Sequence, residues 1–537
     1  MKKIFFFLTI ICISCTQRKK ADLIVVNATV YTVDDAFAKA EAFAVKDGKF
    51  VAVGTSDEIK KQYTAPKSID AQGKTIVPGL IDAHCHFYGL GLQQQKVDVT
   101  GTKSYDEVLQ KTVDFYRKKK PAFVTGRGWD QNDWEDKSFP TNEKLNELFP
   151  EIPVALTRID GHALLVNNAA LALAGIDENT NVQGGEIIKK DGIITGVLID
   201  NAMEYVYNII PKPNLKASAQ ALKDAEEICF KLGLTTVDDA GLDRKIIELI
   251  DSLQQAGELK IRIYAMVTAD EKNLDYYLDK GIVKTGRLNV RSFKVYGDGA
   301  LGSRGAALRE PYRDKPNHYG ALVNTVGFLQ QTAKRIAASD FQMNTHAIGD
   351  SANHIMLQTY ADVLKDKKNR RWRIEHAQIV SPEDFDAFRT IIPSVQPTHA
   401  TSDMYWAKDR VGAKRMKGAY AYKALLQQYG KVALGTDFPV EKVNPMLTFY
   451  AAVARKDLDD YPSGGFQPEN ALTREETLRG MTTWAAYANF EENEKGSIEV
   501  GKFADFIILN QDIMQVNINK VPKINIAQTF VNGERVK

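Results

Sequence analysis

The sequence predicts an α/β protein whose middle is a parallel sheet or (β/α)8 barrel, flanked by two β-rich chain ends and interrupted by one long insertion. Three observations predict it. Short apolar segments, eight of them strand-like, alternate with helical stretches through the middle of the 537 residues, the pattern of a parallel sheet with helical crossovers. Most of the eight carry a polar residue near the C-terminal end, where barrel active sites are assembled. Both chain ends read instead as short strands and tight turns.

In order along the chain, residues 1–14 read as a signal peptide. Lys2 and Lys3 precede an apolar run, Ile4 to Ile13, too short to span a bilayer, and Ser14-Cys15 follows. The small residue before Cys15 fits cleavage and lipidation there, although Cys12 stands where such boxes usually carry leucine; the alternative is a plain secretory signal with a chance cysteine. Residues 15–21 then form a lipidated linker, and the chain is expected to be an exported, membrane-anchored lipoprotein of the bacterial envelope. Next, Asp22 to Val33 and Phe43 to Val53 read as strands, the second folded at Asp47-Gly48, a hairpin dipeptide. Eight candidate buried strands follow: Thr75–His86, Thr235–Asp239, Ile261–Val267, Arg291–Tyr296, Gln342–His346, Trp372–His376, Ile392–Gln396 and Lys431–Asp437. Residues 100–213 fit neither one crossover helix nor a plain loop. With strand-like Ala122–Gly128 and Val154–Arg158 and helical Asn167–Ala174, they read as an insertion after the first barrel strand that could roof the site. Phe503–Leu509, Gln515–Val516 and Ala527–Val536, with a turn at Asn532-Gly533, return to short strands.

Composition narrows the function. With 44% hydrophobic and 26% charged residues the chain is neither disordered nor a coiled coil. Basic residues exceed acidic ones by 70 − 68 = 2, and removing Lys2 and Lys3 with the signal gives 68 − 68 = 0. No broad basic field exists for nucleic acid, none is expected as a partner, and membrane attachment would rest on lipid at Cys15. The other two cysteines, Cys85 and Cys229, make neither a disulfide framework nor a cysteine zinc motif.

His84 and His86 lie two apart on the first candidate strand, so both imidazoles project to one side and Cys85 to the other. That is half a metal site, and alone a weak one. His346, His376 and Asp437 stand at the ends of later strands. A single histidine at a strand end is ordinarily a satisfied structural residue; four histidines and an aspartate at one barrel mouth need a partner such as a divalent metal. Lys294, on the fourth strand, has two readings: an ion pair with a carboxylate such as Asp298, or, favoured, an amine deprotonated by burial that has captured CO2 as a bridging carbamate.

Several motifs together resemble the amidohydrolase superfamily, in particular the branch that includes N-substituted formamide deformylase. They are Pro78-Gly-Leu-Ile-Asp-Ala-His-Cys-His, Gly128-Trp-Asp-Gln, Arg158-Ile-Asp-Gly-His, Lys294-Val-Tyr-Gly-Asp-Gly-Ala-Leu-Gly-Ser-Arg-Gly, Ile374-Glu-His-Ala-Gln, Gln396-Pro-Thr-His, Gly435-Thr-Asp-Phe-Pro-Val and Gly501-Lys-Phe-Ala-Asp-Phe. The resemblance implies a metal-dependent, TIM-like (β/α)8 barrel over residues 77–494 and a composite β-sandwich of residues 22–76 and 495–537, with the insertion as a lid-like subdomain. It implies that His84, His86 and Asp437 hold the more buried metal, His346 and His376 the second, and carbamylated Lys294 bridges them. One or two divalent metals are expected, zinc foremost. A hydroxide held there would attack a carbonyl carbon, with Asp437 as general base passing the proton to the leaving nitrogen.

His162 resembles a substrate-facing histidine that polarises the carbonyl or binds the leaving group; a hydrogen bond tying the insertion to the barrel is the equal alternative. Trp129, Asp130, Arg158, Arg304 and His399 are the other substrate-binding candidates, Arg304 being open to simple pairing with an acid. Trp134 and Trp406 read first as packing, and His318 and His354 as surface or structural residues. The function expected is metal-dependent hydrolysis of a non-peptide C–N amide bond in a small molecule, with homodimerisation left open. The alternatives are a deaminase or cyclic-amide hydrolase of the same superfamily and, in another class, a non-catalytic solute-binding lipoprotein.

Overall fold

All eight expected barrel strands form, and they are hydrogen-bonded in sequential order: β1 Leu80–Cys85, β2 Leu234–Leu242, β3 Arg262–Thr268, β4 Leu288–Tyr296, β5 Gln342–Ala347, β6 Arg373–His376, β7 Ile392–Val395 and β8 Ala433–Leu434. Every neighbouring pair is parallel. The structure, a computed structural model, describes residues 18–161, 163–182, 185–365 and 367–537. The signal segment with Cys12 and Cys15, and His162, lie outside the described residues. Within them, no helix is long and apolar enough to cross a membrane.

Hydrogen bonds just beyond β8 close the barrel onto β1. Asp437 donates its amide to His84 O at 2.8 Å, and His86 donates its own to Phe438 O at 2.7 Å. Asp82 on β1 accepts from the Thr436 amide (3.0 Å) and hydroxyl (2.7 Å). Gly435 makes this approach possible, because a Cβ there would lie 2.5 Å from His84 N. Between strands, the helices are amphipathic and capped. Arg244–Gln255 buries Ile247, Ile250 and Leu253 on one face, and the side chains of Asp270 and Thr325 cap Glu271–Lys280 and Val326–Ala337.

Two sheets from opposite chain ends enclose a second core. Leu23–Val26, Ala42–Lys46, Lys49–Gly54 and Lys67–Asp70 form one; Thr29–Tyr31, Lys39–Ala40, Thr75–Pro78, Phe506–Leu509, Ile526–Val531 and Glu534–Arg535 form the other. Their shared core joins Phe43 and Phe50 to Phe506 and Phe530, with the Phe43 and Phe506 ring centroids 4.8 Å apart. Asp47 (φ 50°) and Gly48 (φ 74°) make the expected hairpin turn. Two expectations change. Thr75–His86 is two strands: Thr75–Pro78 pairs antiparallel with Phe506–Leu509, and β1 starts afresh after Gly79, where any Cβ would meet Thr235 Oγ1 at 2.2 Å. Gln515–Val516 is a turn, because both amides bond back to Asp512 O.

The larger compact unit runs to His86 and resumes at Glu226; Phe87–Ala225 is the other. The smaller unit has its own six-stranded sheet, ordered Val97–Asp98, Val124–Trp129, Val154–Arg158, Ala163–Val166, Ile193–Asp200, Gly185–Lys190. It begins earlier and ends later than residues 100–213 because Val97–Asp98 pairs with Val124–Trp129 and Asp224 is held by Gln95 (2.7 Å) and Lys119 (2.6 Å). Its core includes Trp129, Trp134, Leu145, Leu156 and Val197.

The sandwich is fastened to the barrel by a buried ion pair. Arg262 on β3 donates through Nε (2.6 Å) and Nη2 (2.9 Å) to Asp505, which also accepts from the Asn532 amide at 2.8 Å. Asp505→Ala leaves a buried guanidinium unpaired, which typically costs about 3–5 kcal/mol. We expect a clear fall in the urea midpoint of Asp505→Ala; a midpoint equal to that of the unmodified chain contradicts this fastening.

Candidate metal centre

Strand ends bring seven sequence-predicted residues to one place: His84, His86, Lys294, His346, His376, His399 and Asp437. His84 is fully buried, and its ring lies 4.8 Å from that of His376; the His376 ring in turn lies 4.5 Å from that of His346 and 5.9 Å from that of His399. Two groups of potential ligand atoms result, His84, His86 and Asp437 and then His376, His399 and Asp437, each with its atoms within 4.8 Å of one another. Asp437 belongs to both.

What suits these imidazoles to holding a metal is what stands behind them. His84 Nδ1–H donates to Glu375 Oε2 at 2.6 Å, His86 Nδ1–H to the Ala240 carbonyl at 2.9 Å, and His376 Nδ1–H to Gln396 Oε1 at 2.7 Å. With the proton committed at Nδ1, each Nε2 presents a lone pair. For His86 that lone pair faces Asp437 Oδ1 at 3.2 Å, and the His84 Nε2 lies 3.7 Å from the same oxygen. Lone pairs facing a carboxylate repel unless a cation lies between them. Consistently, Asp437 Oδ1, His346 Nε2 and His399 Nε2 are buried without a hydrogen-bond partner among the described residues. The donor set of imidazoles and carboxylate fits a divalent first-row metal.

Burial dominates the electrostatics. It drives His84 and His376 well below the usual imidazole range and His346 down to about 3, with the Lys294 cation adding to the fall for His84 and His346. All three are therefore neutral at pH 7, the form in which an imidazole can take a metal. Burial pushes Asp437 up, but the surrounding imidazoles, His86 first, outweigh it and hold the carboxylate well below its usual range. The backbone is strained at the same places: His376 (φ 74°) and Asp437 (φ 62°) are left-handed non-glycine residues, a conformation that persists only where its surroundings impose it.

Lys294 Nζ lies 3.0 Å from His84 Nε2. Its alternative partner, Asp298, is engaged elsewhere, accepting the amides of Ala307 (2.8 Å), Ile348 (2.9 Å) and Gly349 (2.8 Å). Burial lowers the Lys294 ammonium to about 8, against the opposing pull of Glu375 and Asp437.

The remaining candidates sit as follows. Trp129 is buried in the smaller unit and donates its Nε1–H to Leu156 O at 2.6 Å. In the same unit, Arg158 binds Asp130 and Asp160, each at 2.5 Å. Arg304, beyond β4, pairs with Asp314 at 2.8 Å and accepts a hydrogen bond from His318 at its carbonyl (2.9 Å). Trp406 lies under the Arg410 guanidinium, and His354 bonds Asp384 at 2.8 Å. Sequence reasoning assigned no role to Asp82, Glu375 or Gln396, although all three stand inside quoted motifs.

A barrel mouth of this geometry defines a metal-dependent hydrolase. The chain belongs to the amidohydrolase family, whose model matches residues 67–537. It is similar to the putative amidohydrolase YtcJ of Bacillus subtilis (strain 168), 30% identical over 519 residues that cover 94% of this chain and 98% of that one. It is also similar to the N-substituted formamide deformylase of Arthrobacter pascens, 26% identical over 535 residues that cover 95% and 97%. Among solved structures, an uncharacterized metal-dependent hydrolase from Pyrococcus furiosus superimposes with a TM-score of 0.77 at 27% identity, over 92% of this chain and 100% of that one.

The Lys294 value gives a pH test on metal-free protein. Its folded value, about 8, lies below the ordinary 10.5, so between these the unfolded chain binds more protons and stability rises with pH. Below about pH 8 the buried cation destabilises in full. Lys294→Met is therefore expected to raise the thermal midpoint of the metal-free chain at pH 7, with the gain fading toward pH 10.5. A midpoint difference that is independent of pH contradicts the assignment.

Proposed function

We propose that the chain hydrolyses the C–N bond of a non-peptide amide in a small molecule, with one or two divalent metals, zinc foremost, held by His84, His86, Lys294, His346, His376 and Asp437. His399 joins this set through its place beside His376 and Asp437. The observation that carries the reading is the convergence of imidazole lone pairs on one carboxylate, each ring fixed from behind. A divalent ion there supplies a Lewis acid and brings the pKa of water down toward about 7.

The chain's own residues divide the remaining work. Asp437, ionised and shared by both ligand groups, accepts the proton of the attacking water and returns it to the leaving nitrogen. The neutral amine of Lys294, about half of the population near pH 8, forms an N–C bond to CO2 with release of one proton, giving a carbamate that adds a second carboxylate to the centre. His162, Asp130, Arg158 and Arg304 remain the substrate-facing candidates, whereas Trp129 packs in the core of the smaller unit. Similarity to the Arthrobacter pascens deformylase supports N-substituted formamides as the first substrates to assay, ahead of other N-acyl and cyclic amides. The same reading takes the chain as exported and lipid-anchored at Cys15.

Asp437→Asn is expected to reduce turnover by about 10²–10⁴-fold, the usual worth of general acid–base catalysis, with metal still bound. An active Asp437→Asn enzyme contradicts the general-base role. Chelation should abolish hydrolysis of the amide panel and zinc should restore it; activity that persists after complete metal removal contradicts the metal dependence.

A further inference from the structure

The two ligand groups share Asp437 but differ in what holds their histidines. In the group of His84, His86 and Asp437, the partner behind His84 is a carboxylate: Glu375 accepts at 2.6 Å, and neither side chain has solvent exposure. Glu375 is itself supported. Arg373 Nη1 lies 4.0 Å from its second oxygen and 3.0 Å from Asp238, and Asp238 also accepts from Asn489 at 2.7 Å. In the group of His376, His399 and Asp437, the partner behind His376 is the neutral amide of Gln396, at 2.7 Å.

A carboxylate on Nδ1–H draws the proton toward itself and makes the opposite nitrogen a stronger donor to metal, more so than an amide oxygen does. Asp437 contributes to both groups and so does not rank them. We infer that metals load in a fixed order: the group of His84, His86 and Asp437 is the high-affinity site, Glu375 is the positioning residue that makes it so, and the group of His376, His399 and Asp437 is the labile one. The inference rests on the metal-dependent reading above.

The full chain, stripped of metal, is titrated with Zn²⁺ against a competing chelator, and metal content is measured after gel filtration. One ion per chain should remain and a second should be lost. Glu375→Gln keeps a hydrogen-bond acceptor of the same size but removes the charge. It should lower the affinity of the tight site about 10–100-fold and shift the visible spectrum of Co²⁺ bound there, a signature that a packing role alone would leave unmoved. Should Glu375→Gln fail to fold, ligand deletion decides the order: His376→Ala should retain the tightly held ion and His84→Ala should lose it. The reverse pattern, or unchanged tight-site affinity in folded Glu375→Gln, overturns the inference. Two ions of equal affinity overturn the order and leave the hydrolase reading standing; a chain that binds no divalent ion overturns both.

Discussion

Asp82 joins the first strand of the barrel to the last. Its two oxygens take the amide and hydroxyl of Thr436 and the amide of His84 at 3.3 Å, so residues 82 to 86 and 435 to 438 are held side by side. Burial raises this carboxyl to about 7, against the pull of those hydrogen bonds. Everything at the mouth depends on it. The His84 carbonyl receives the Asp437 amide and the Phe438 carbonyl receives the His86 amide, so the register set by Asp82 fixes both histidines against the shared aspartate.

Beneath the mouth the barrel interior is polar, and one line of contacts runs through it. Asn489, Asp238, Arg373, Glu375 and His84 succeed one another through buried contacts. Asp238 is raised to about 6 by burial, which the Arg373 guanidinium opposes. Such a chain is worth little as net stability, because each charge gives up its hydration. Its value is geometric: the His84 ring has one orientation available, and the centre is organised before substrate arrives.

The barrel was legible because its strands are apolar runs with polar ends, and the sandwich because its turns carry Asp-Gly and Asn-Gly. The convergence of His84, His86, His346, His376 and Asp437 was legible because ligand-type residues recur at those ends. What escaped was whatever depends on broken periodicity. On a regular strand Glu375 and His376 would face opposite sides, yet both reach His84, because the left-handed backbone at His376 turns its ring back toward the mouth. The break at Gly79 escaped for a related reason: apolar residues run on from Ile76 to Ile81 across Pro78-Gly79, and it is the close approach of Thr235 that admits only glycine there. The distance of His399 from Asp437, 3.6 Å, is likewise a property of the closed barrel that nothing in Gln396-Pro-Thr-His announces.

The strand that divides at Gly79 also sets an order of events in synthesis. Its first half lies between Thr29–Tyr31 and Phe506–Leu509 and its second half between Leu234–Leu242 and residues 433 to 437, so each half has one neighbour that only the C-terminal part of the chain supplies. Neither the sandwich nor the metal centre can exist on a nascent chain. The edges of Thr75–Pro78 and Leu80–Cys85 that await those late partners stay unpaired until translation is nearly complete, and the barrel mouth assembles only on a finished polypeptide.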